Sequence, residues 1–380
     1  SCISRSNEFK ALDLPKRIPH YILKDYAEKL NIAFRSSNYC LYGDMSNRVM
    51  RILSSMVPQI EQYSIDESFF HMDFADDFNY EEFGTAIRKK VLRWTGIPCG
   101  IGFAKTKTLA KIANHIAKKL PEGVYVMPED TTEILFALPV EEVWGIGRRM
   151  GERLRLRGIS TALQLRDLPD DVIRAVGSVV TVRTATELRG IEAIVDRDYD
   201  ADPDSVSCSR SFGTPVENLE GLAESVASFA AQAAEKMRRH KMVSQGCNVY
   251  AQFGSACDSR WVERSVIFES PTNATNEILK AITKVIGALY VPGVKYRKSG
   301  VVFFGLTKED ALRQMDLFET PAPTSSKTKK LFKAVDALNK KYGRGKVFSA
   351  AEGMKKPWKM KRSLLSRRAT TEWDELLTVK

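Results

Sequence analysis

The sequence predicts an α+β multidomain protein. Its 380 residues exceed what one hydrophobic core usually organises, so we expect two to four domains. Strand-like runs alternate with amphipathic helical patterns in residues 39–128 and again in residues 205–308, which favours helices packed on small sheets. Two proline-containing segments, 196–205 and 307–330, are typical of linkers.

Composition excludes several classes of protein. The apolar fraction of 43% is ordinary, no run of 18 apolar residues exists, and no secretion signal is recognisable, so we expect a cytoplasmic protein without a membrane span. The six cysteines are scattered without a C-x-x-C pair, and the four histidines are dispersed. This argues against a disulfide framework and against a zinc enzyme.

The positive charge is confined to the end of the chain. Residues 320–380 carry 16 Lys and Arg against five Asp and Glu, which accounts for the whole net charge of +11. A basic tail suits nucleic acid, an acidic partner or simple solvation, and charge alone does not choose among them.

The first third of the chain predicts a small helical piece and a loop over 1–38, followed by helices over 44–56, 83–94 and 106–120 and a buried strand over 100–104. The last helix has an apolar stripe, and its lysines Lys107, Lys111 and Lys118 cluster on the opposite face. That face is either a solvated surface or a receptor for a polyphosphate.

An acidic pair lies at the centre of this region. Asp66 and Glu67 fall between two uncharged, strand-like runs within 62–70, which is typical of a strand, a tight reversal and a second strand. Most such pairs are solvated turns. Two carboxylates beside lysines on a small sheet instead suit Mg²⁺ and two-metal phosphoryl or nucleotidyl transfer.

Residues 138–192 predict a different, helical region. Gly145-Ile146-Gly147 between short helices, followed by Arg148, indicates a helix-hairpin-helix motif. Glycines allow backbone N–H groups to approach a phosphate, so the motif predicts sequence-independent binding to the DNA backbone. The alternative is a plain helical turn.

The second α+β region predicts strands over 210–214, 245–253 and 300–306, with helices over 222–239 and 274–289.

The C-terminal part begins with a peptide that contains Gln314, Leu317 and Phe318, which fits a pocket on a partner or an ordinary helix end. A basic amphipathic helix is predicted over 327–341. The remainder, with Trp358 and Trp373, carries so little pattern that we expect it to order only on a partner.

The ordered motifs resemble Y-family translesion DNA polymerases, and within that family the UmuC branch. They are YSIDES at 63–68, GIGFAKTKTLAK at 100–111 and VWGIG at 143–147, with support from SNY at 37–39, DMSNRVM at 44–50, CSRSFG at 208–213 and MKR at 360–362. The resemblance implies a right-hand polymerase: a fingers remnant at 1–38, a palm at 39–128, a helical thumb at 129–196, an α+β little finger at 205–308, and a clamp peptide and basic partner-binding tail at 309–380.

The resemblance also implies site residues. Asp66 and Glu67 match the family's second and third metal carboxylates, which hold two Mg²⁺ ions. The other matches are Arg5, Lys10 and Lys118 for the incoming dNTP, Gly145, Gly147 and Arg148 for DNA, and Gln314, Leu317 and Phe318 for the sliding clamp.

One family feature has no match in the sequence. The family opens with a strand bearing its first metal-binding Asp, followed by a steric gate against ribonucleotides, and Asp13 stands in a different context. We therefore expect a further N-terminal segment in the natural protein, and we expect the chain as given to bind DNA but to polymerise poorly or not at all.

The function implied is error-prone translesion synthesis on primed, damaged DNA in the SOS response. Implied partners are the UmuD′ dimer, the sliding clamp and the RecA filament, with nucleoid association when active. Two rivals remain: a nucleotide cyclase, for which no Gly-Gly-rich loop is found, and a non-catalytic DNA- and clamp-binding module.

Overall fold

The structure is a computed structural model that describes residues 2–15, 18–27, 29–72, 77–196, 202–254, 258–311 and 326–378. These residues belong to two compact units. The first consists of Ser1–Tyr199 and Leu364–Lys380, and the second of Asp200–Ser363. Each unit combines helices with strands, so the predicted α+β multidomain fold is confirmed.

The first unit opens with short elements around two strand pairs. Its helices in this part are α1 (Asn7–Lys10), α2 (His20–Ala27), α3 (Tyr39–Ser54), α4 (Tyr80–Thr95) and α5 (Lys107–Ala117). Its strands are β1 (Gln59–Glu61), β2 (Phe69–His71), β3 (Ile101–Phe103) and β4 (Val124–Val126).

Local signals explain most of these boundaries. Helix α4 is capped by the Asn79 side chain and ends at Gly96, whose φ of 71° suits glycine. Helix α3 begins at Tyr39, earlier than the predicted start at Asp44, because the Asn38 side chain accepts a hydrogen bond from Leu41 N at 3.3 Å.

The strands form two pairs rather than the single small sheet that we expected. β1 pairs with β2 antiparallel, and β3 pairs with β4 parallel. Within the described residues, no ladder joins the two pairs. Helix α5 packs so closely on β3 that only glycine fits at position 102. A Cβ on Gly102 would lie 2.2 Å from the backbone nitrogen of Asn114.

The helical region that follows has its own core. Its elements are α6 (Thr132–Ala137), a 3₁₀ turn at Val140–Glu142, α7 (Arg148–Arg155), α8 (Ala162–Asp167), α9 (Asp170–Val176) and α10 (Val179–Leu188). Leu135, Leu154 and Leu165 are fully buried there, and Leu109 and Ile112 of α5 join the same cluster.

The second unit is built on an antiparallel sheet in the order β5 (Val206–Val216), β8 (Tyr296–Lys308), β6 (Met242–Gly254) and β7 (Ser259–Thr272). Helices α11 (Leu219–Arg239) and α12 (Thr275–Ile286) contribute to its core. Strand β7 was not predicted. It is an edge strand whose charged residues Arg260, Glu263 and Arg264 are exposed, so its apolar signal is weak.

The tail corrects one expectation. The basic helix is present as α13 (Ser326–Tyr342). Its Asp336 carboxylate forms a bidentate ion pair with Arg238, at 2.7 and 2.8 Å. Trp358 is only 3% exposed and packs against Phe212 and Phe229. The expectation that this part orders only on a partner is therefore wrong for Trp358, whereas Trp373 is 85% exposed.

Some expectations lie outside the described residues, namely those for Gln314, Leu317 and Phe318. In the parts of the chain that are described, no helix is long and apolar enough to cross a membrane.

Cysteine reactivity gives a first testable prediction. Cys247 is buried and Cys40 is exposed, and both are free thiols. Burial raises the pKa of the Cys247 thiol to about 12, so almost no reactive thiolate exists near neutral pH. We expect iodoacetamide to modify Cys40 in the native protein and Cys247 only after unfolding, as read by peptide mass spectrometry. Equal rates at the two positions would contradict the burial of Cys247.

Candidate active site

The acidic pair lies at the turn that joins β1 to β2. Ser64 N donates to Glu67 O at 2.9 Å and closes the predicted turn. The first strand, however, is Gln59–Glu61 and not the run that begins at Gln62, so the connection is longer than predicted. The Ser64 hydroxyl is 2.5 Å from Asp66 Oδ1 and also accepts from Asp66 N at 3.2 Å. Asp66 is exposed and the Glu67 side chain is 35% exposed, so both carboxylates are accessible to a ligand.

Helix α5 brings one lysine to this turn. Lys111 Nζ lies 2.7 Å from Glu67 Oε1. The same ammonium is 5.5 Å from the centroid of the Tyr63 ring and 5.9 Å from that of Trp144, which are cation–π distances. Lys111 therefore places a positive charge beside the carboxylate pair.

Lys107 is buried between two carboxylates, whereas the helical projection predicted that it would be exposed or would bind a polyphosphate. Its side chain is only 4% exposed, with Nζ 2.5 Å from Glu61 Oε2 and 2.6 Å from Asp196 Oδ1. Burial acts to lower the pKa of Lys107, but the bonds to Asp196 and Glu61 outweigh burial and raise this pKa. The prediction of a solvated or polyphosphate-binding role is wrong for Lys107, and Asp196 is an anchored residue rather than the start of a linker.

Two buried carboxylates were missed in the sequence. Glu61 ends β1, and Glu187 of α10 is fully buried. The Glu187 carboxylate accepts bonds from Thr108 N and Thr108 Oγ1, both at 2.7 Å, and from Ile194 N at 2.9 Å. No sequence signal distinguishes these glutamates from solvated ones, because their partners are distant in the chain.

The contacts seen for the residues matched to the incoming nucleotide are local. Lys118 is exposed and is the C-cap residue that follows α5. Arg5 donates to Leu14 O at 2.9 Å, and Lys10 donates to Asn7 Oδ1 at 3.1 Å. These bonds are local, so the role of these three residues stays a prediction.

The glycine hairpin is open towards solvent. Gly145 has a φ of +88°, a conformation that favours glycine. Gly147 is the N-cap residue of α7, and because it has no side chain, the first N–H groups of that helix are not capped by it. The Arg148 side chain is 90% exposed. The arm before the hairpin is a single 3₁₀ turn rather than the short helix expected, since Pro139 and the extended Val143 limit it to Val140–Glu142.

The hairpin also contacts the acidic turn. Trp144 Nε1 donates to the Tyr63 hydroxyl at 3.3 Å, and the two rings pack edge to face at 5.4 Å. The two motifs that the sequence singled out are thus held next to each other.

Asp66 and Glu67 supply part of the ligand set of a hard divalent cation. Among the described residues, no group of three or more His, Cys, Asp or Glu side chains could hold a metal ion. Mg²⁺ is nevertheless often held by one or two carboxylates, with substrate phosphates and water completing its shell. The accessible pair Asp66 and Glu67 supplies such a set.

Family profiles match most of the chain. Residues 1–115 match the impB/mucB/samB family, residues 203–317 match its C-terminal domain, and residues 128–159 match its HHH motif. Residues 329–379 match a domain of unknown function, DUF4113.

Individual proteins agree with these profiles. The chain is 37% identical over 387 residues to Protein UmuC of Salmonella typhimurium strain LT2, with 100% of this chain and 91% of that protein covered. It is 33% identical over 381 residues to Protein MucB of Escherichia coli, covering 98% and 89%.

A solved Y-family DNA polymerase chimera of Dbh and Dpo4 shares the fold, with a TM-score of 0.57 at 19% identity over 79% of this chain and 85% of that one. Y-family DNA polymerases generally use divalent metal ions. From its motifs, its fold and its full-length similarity to UmuC, the chain belongs to the impB/mucB/samB family, in the UmuC branch of the Y-family DNA polymerases.

Proposed function

We propose that this chain carries out error-prone translesion DNA synthesis by template-directed nucleotidyl transfer, with Asp66 and Glu67 as metal-binding carboxylates. The observation that carries the proposal is the accessible carboxylate pair at the β1–β2 turn, beside Lys111 and next to the glycine hairpin. The full-length similarity to UmuC supports the same activity.

The residues at and beside the turn have different proposed roles. Two Mg²⁺ ions, when bound, would activate the primer 3′-OH and stabilise the charge of the leaving pyrophosphate. Ser64 orients Asp66, and Glu67 offers its carboxylate from the end of the turn. Lys111 sits where its charge can offset that of a triphosphate. We assign Lys118, Lys10 and Arg5 to further contacts with the dNTP.

The proposed domain map follows the family: fingers remnant 1–38, palm 39–128, thumb 129–196, little finger 205–308 and tail 309–380. Separate clusters of buried residues around Ile87, Leu154 and Phe229 support a palm, a thumb and a little finger. Because α5 also contributes to the thumb cluster, palm and thumb share part of their packing.

The proposal includes DNA and protein partners. Primed DNA would contact the backbone N–H groups at Gly145 and Gly147, and Gln314, Leu317 and Phe318 would bind a sliding clamp. The UmuD′ dimer and the RecA filament are the further partners that we propose, in the cytoplasm and at the nucleoid.

Primer extension tests the proposed function. The purified natural protein is incubated with a primed template, dNTPs and either Mg²⁺ or EDTA, on undamaged DNA and on a template with an abasic site. We expect Mg²⁺-dependent addition on both templates. DNA binding without any extension would instead favour the non-catalytic binding module.

Arg148 gives a prediction about DNA affinity. Because its side chain is almost fully exposed beside the open start of α7, we expect Arg148→Ala to weaken binding about equally for all sequences. The slope of log K against log salt should shrink by about 1, as for the loss of one phosphate contact. Fluorescence anisotropy at several salt concentrations measures both quantities. Arg155→Ala at the other end of α7 is the control, and an identical effect of the two substitutions would contradict the assignment.

A further inference from the structure

Lys107 occupies a position where a lysine is electrostatically unfavourable. It is the first residue of α5, and the start of a helix carries positive partial charge. Its side chain is buried, so water does not stabilise the ammonium. A charge in such a place needs partners, and these partners define what Lys107 does.

The partners lie at the base of the acidic turn. Glu61 is the last residue of β1, and it stands opposite Phe69, the first residue of β2. Lys107 Nζ contacts the Glu61 carboxylate at 2.5 Å and lies 5.5 Å from the centroid of the Phe69 ring. One ammonium thus touches both strands where they enter and leave the turn that carries Asp66 and Glu67.

The third partner comes from the segment that follows α10. Asp196 Oδ1 lies 2.6 Å from Lys107 Nζ and 3.1 Å from His71 Nε2, and His71 is the last residue of β2. The same segment is tied to the start of α5 by Glu187, which accepts from Ile194 N and from Thr108 N. The segment after α10 is therefore linked to the hairpin directly through His71, and to the start of α5 through Lys107 and Glu187.

We propose that Lys107 and Asp196 are positioning residues for nucleotidyl transfer, which lock both strands of the acidic hairpin to the segment after α10 and so hold the Asp66–Glu67 turn in place. This inference rests on the proposed polymerase function. Neither residue lies at the tip of the turn, where substrate would bind, so both act through the hairpin.

The size of the expected effect follows from how steeply catalysis depends on geometry. A displacement of about 1 Å at a reacting group costs roughly 100-fold in rate. Lys107 is the contact shared by β1, β2 and the segment after α10. Loss of Asp196 would release one of its anchors while Glu61 still neutralises the lysine, so the fold is expected to survive.

The test compares Asp196→Ala with Asp170→Ala in the natural protein. Asp170 forms an ion pair with Arg189 at 2.7 Å on α9, so its removal also deletes a partly exposed carboxylate but does not affect the hairpin. We expect Asp196→Ala to lower kcat roughly 10- to 100-fold, with the KM for dNTP, the DNA affinity and the thermal midpoint nearly unchanged. Asp170→Ala should leave all four quantities at the wild-type values.

Hydrogen–deuterium exchange supplies a readout that does not need activity. We expect faster exchange of the backbone amides in residues 59–71 of Asp196→Ala, and no change there in Asp170→Ala. Unchanged exchange and unchanged kcat in Asp196→Ala would overturn the proposal. Asp196→Glu, which keeps the carboxylate, should recover part of both properties, and equal defects in Asp196→Glu and Asp196→Ala would also count against it.

Failure of the two proposals can be told apart. If the natural protein does not extend primers under any condition, the proposed function fails, and the exchange measurement still decides whether Asp196 fixes the hairpin. If the natural protein extends primers and its Asp196→Ala variant matches it in rate and exchange, only the positioning role is wrong.

Discussion

We expect Asp66→Ala in the natural protein to abolish primer extension while the fold and the DNA affinity are retained. Asp66 is exposed at the turn, and its carboxylate bonds only to Ser64 among the contacts that the structure describes there. Its removal therefore costs little packing but deletes half of the carboxylate pair that is to hold Mg²⁺. Loss of metal stabilisation worth several kcal/mol corresponds to a rate at least about 1,000-fold lower.

Single-turnover incorporation of one nucleotide measures this effect, with anisotropy for DNA affinity and a thermal melt for the fold. Glu129→Ala is the matched control, because Glu129 is an exposed carboxylate paired with Lys105 away from the turn. Normal incorporation by Asp66→Ala would contradict the assignment of Asp66 as a metal-binding carboxylate. A similar loss in Glu129→Ala would show that the assay responds to any lost carboxylate.

The second large effect is expected on stability. Lys107→Met removes the cation that lies 2.5 Å from the Glu61 carboxylate, and the Glu61 side chain is only 7% exposed. Removal of one partner from a buried ion pair typically costs about 3–5 kcal/mol, because an uncompensated charge remains out of water. We expect a free energy of unfolding lower by this amount, measured by urea denaturation of the first unit's transition.

A comparison of two lysines isolates the cause. Lys105 pairs with Glu129 at 2.6 Å, nearly the distance between Lys107 and Glu61, but the side chains of Lys105 and Glu129 are both exposed. Lys105→Met should therefore cost less than about 1 kcal/mol. The double variant Lys107→Met with Glu61→Gln should recover much of the stability, because no buried charge is then left unpaired. Equal costs for the two single substitutions would contradict the role of burial.

The parts of the fold that were predictable are those set by nearby residues. Helix α4 follows from its apolar spacing and from Gly96, and the acidic turn follows from two strand-like runs with a reversal between them. The glycine hairpin also has a local cause, since Gly145 adopts a positive φ. In each case the neighbouring residues determine the backbone.

The parts that sequence reasoning missed depend on residues far apart in the chain. A helical projection places Lys107 and Lys111 on one face, but it does not show that Glu61 and Asp196 cover the first of them. Trp358 lies in a segment with little pattern, and its burial against Phe212 becomes visible only when the fold is known. An isolated apolar residue does not reveal its distant partner.

The family was predicted correctly from the sequence, whereas the environment of individual charged residues was not. The ordered motifs pointed to the Y-family, and the family profiles and the similarity to UmuC confirm this membership. The carboxylate pair and the adjacent hairpin were identified from the sequence, whereas the positioning network behind them was not. That network consists of charged residues that ordinarily lie at the surface, so pattern alone favoured the wrong environment.

The most direct test of the central claim is to locate the bound metal without relying on turnover. Fe²⁺ is substituted for Mg²⁺ in the complex of the chain with primed DNA and dNTP, and ascorbate with peroxide then cuts the backbone next to the bound ion. We expect cleavage at residues 64–67, suppressed by excess Mg²⁺ and lost in Asp66→Ala. Cleavage that is absent from this turn, or that persists unchanged in Asp66→Ala, would contradict the assignment of the acidic turn as the metal centre.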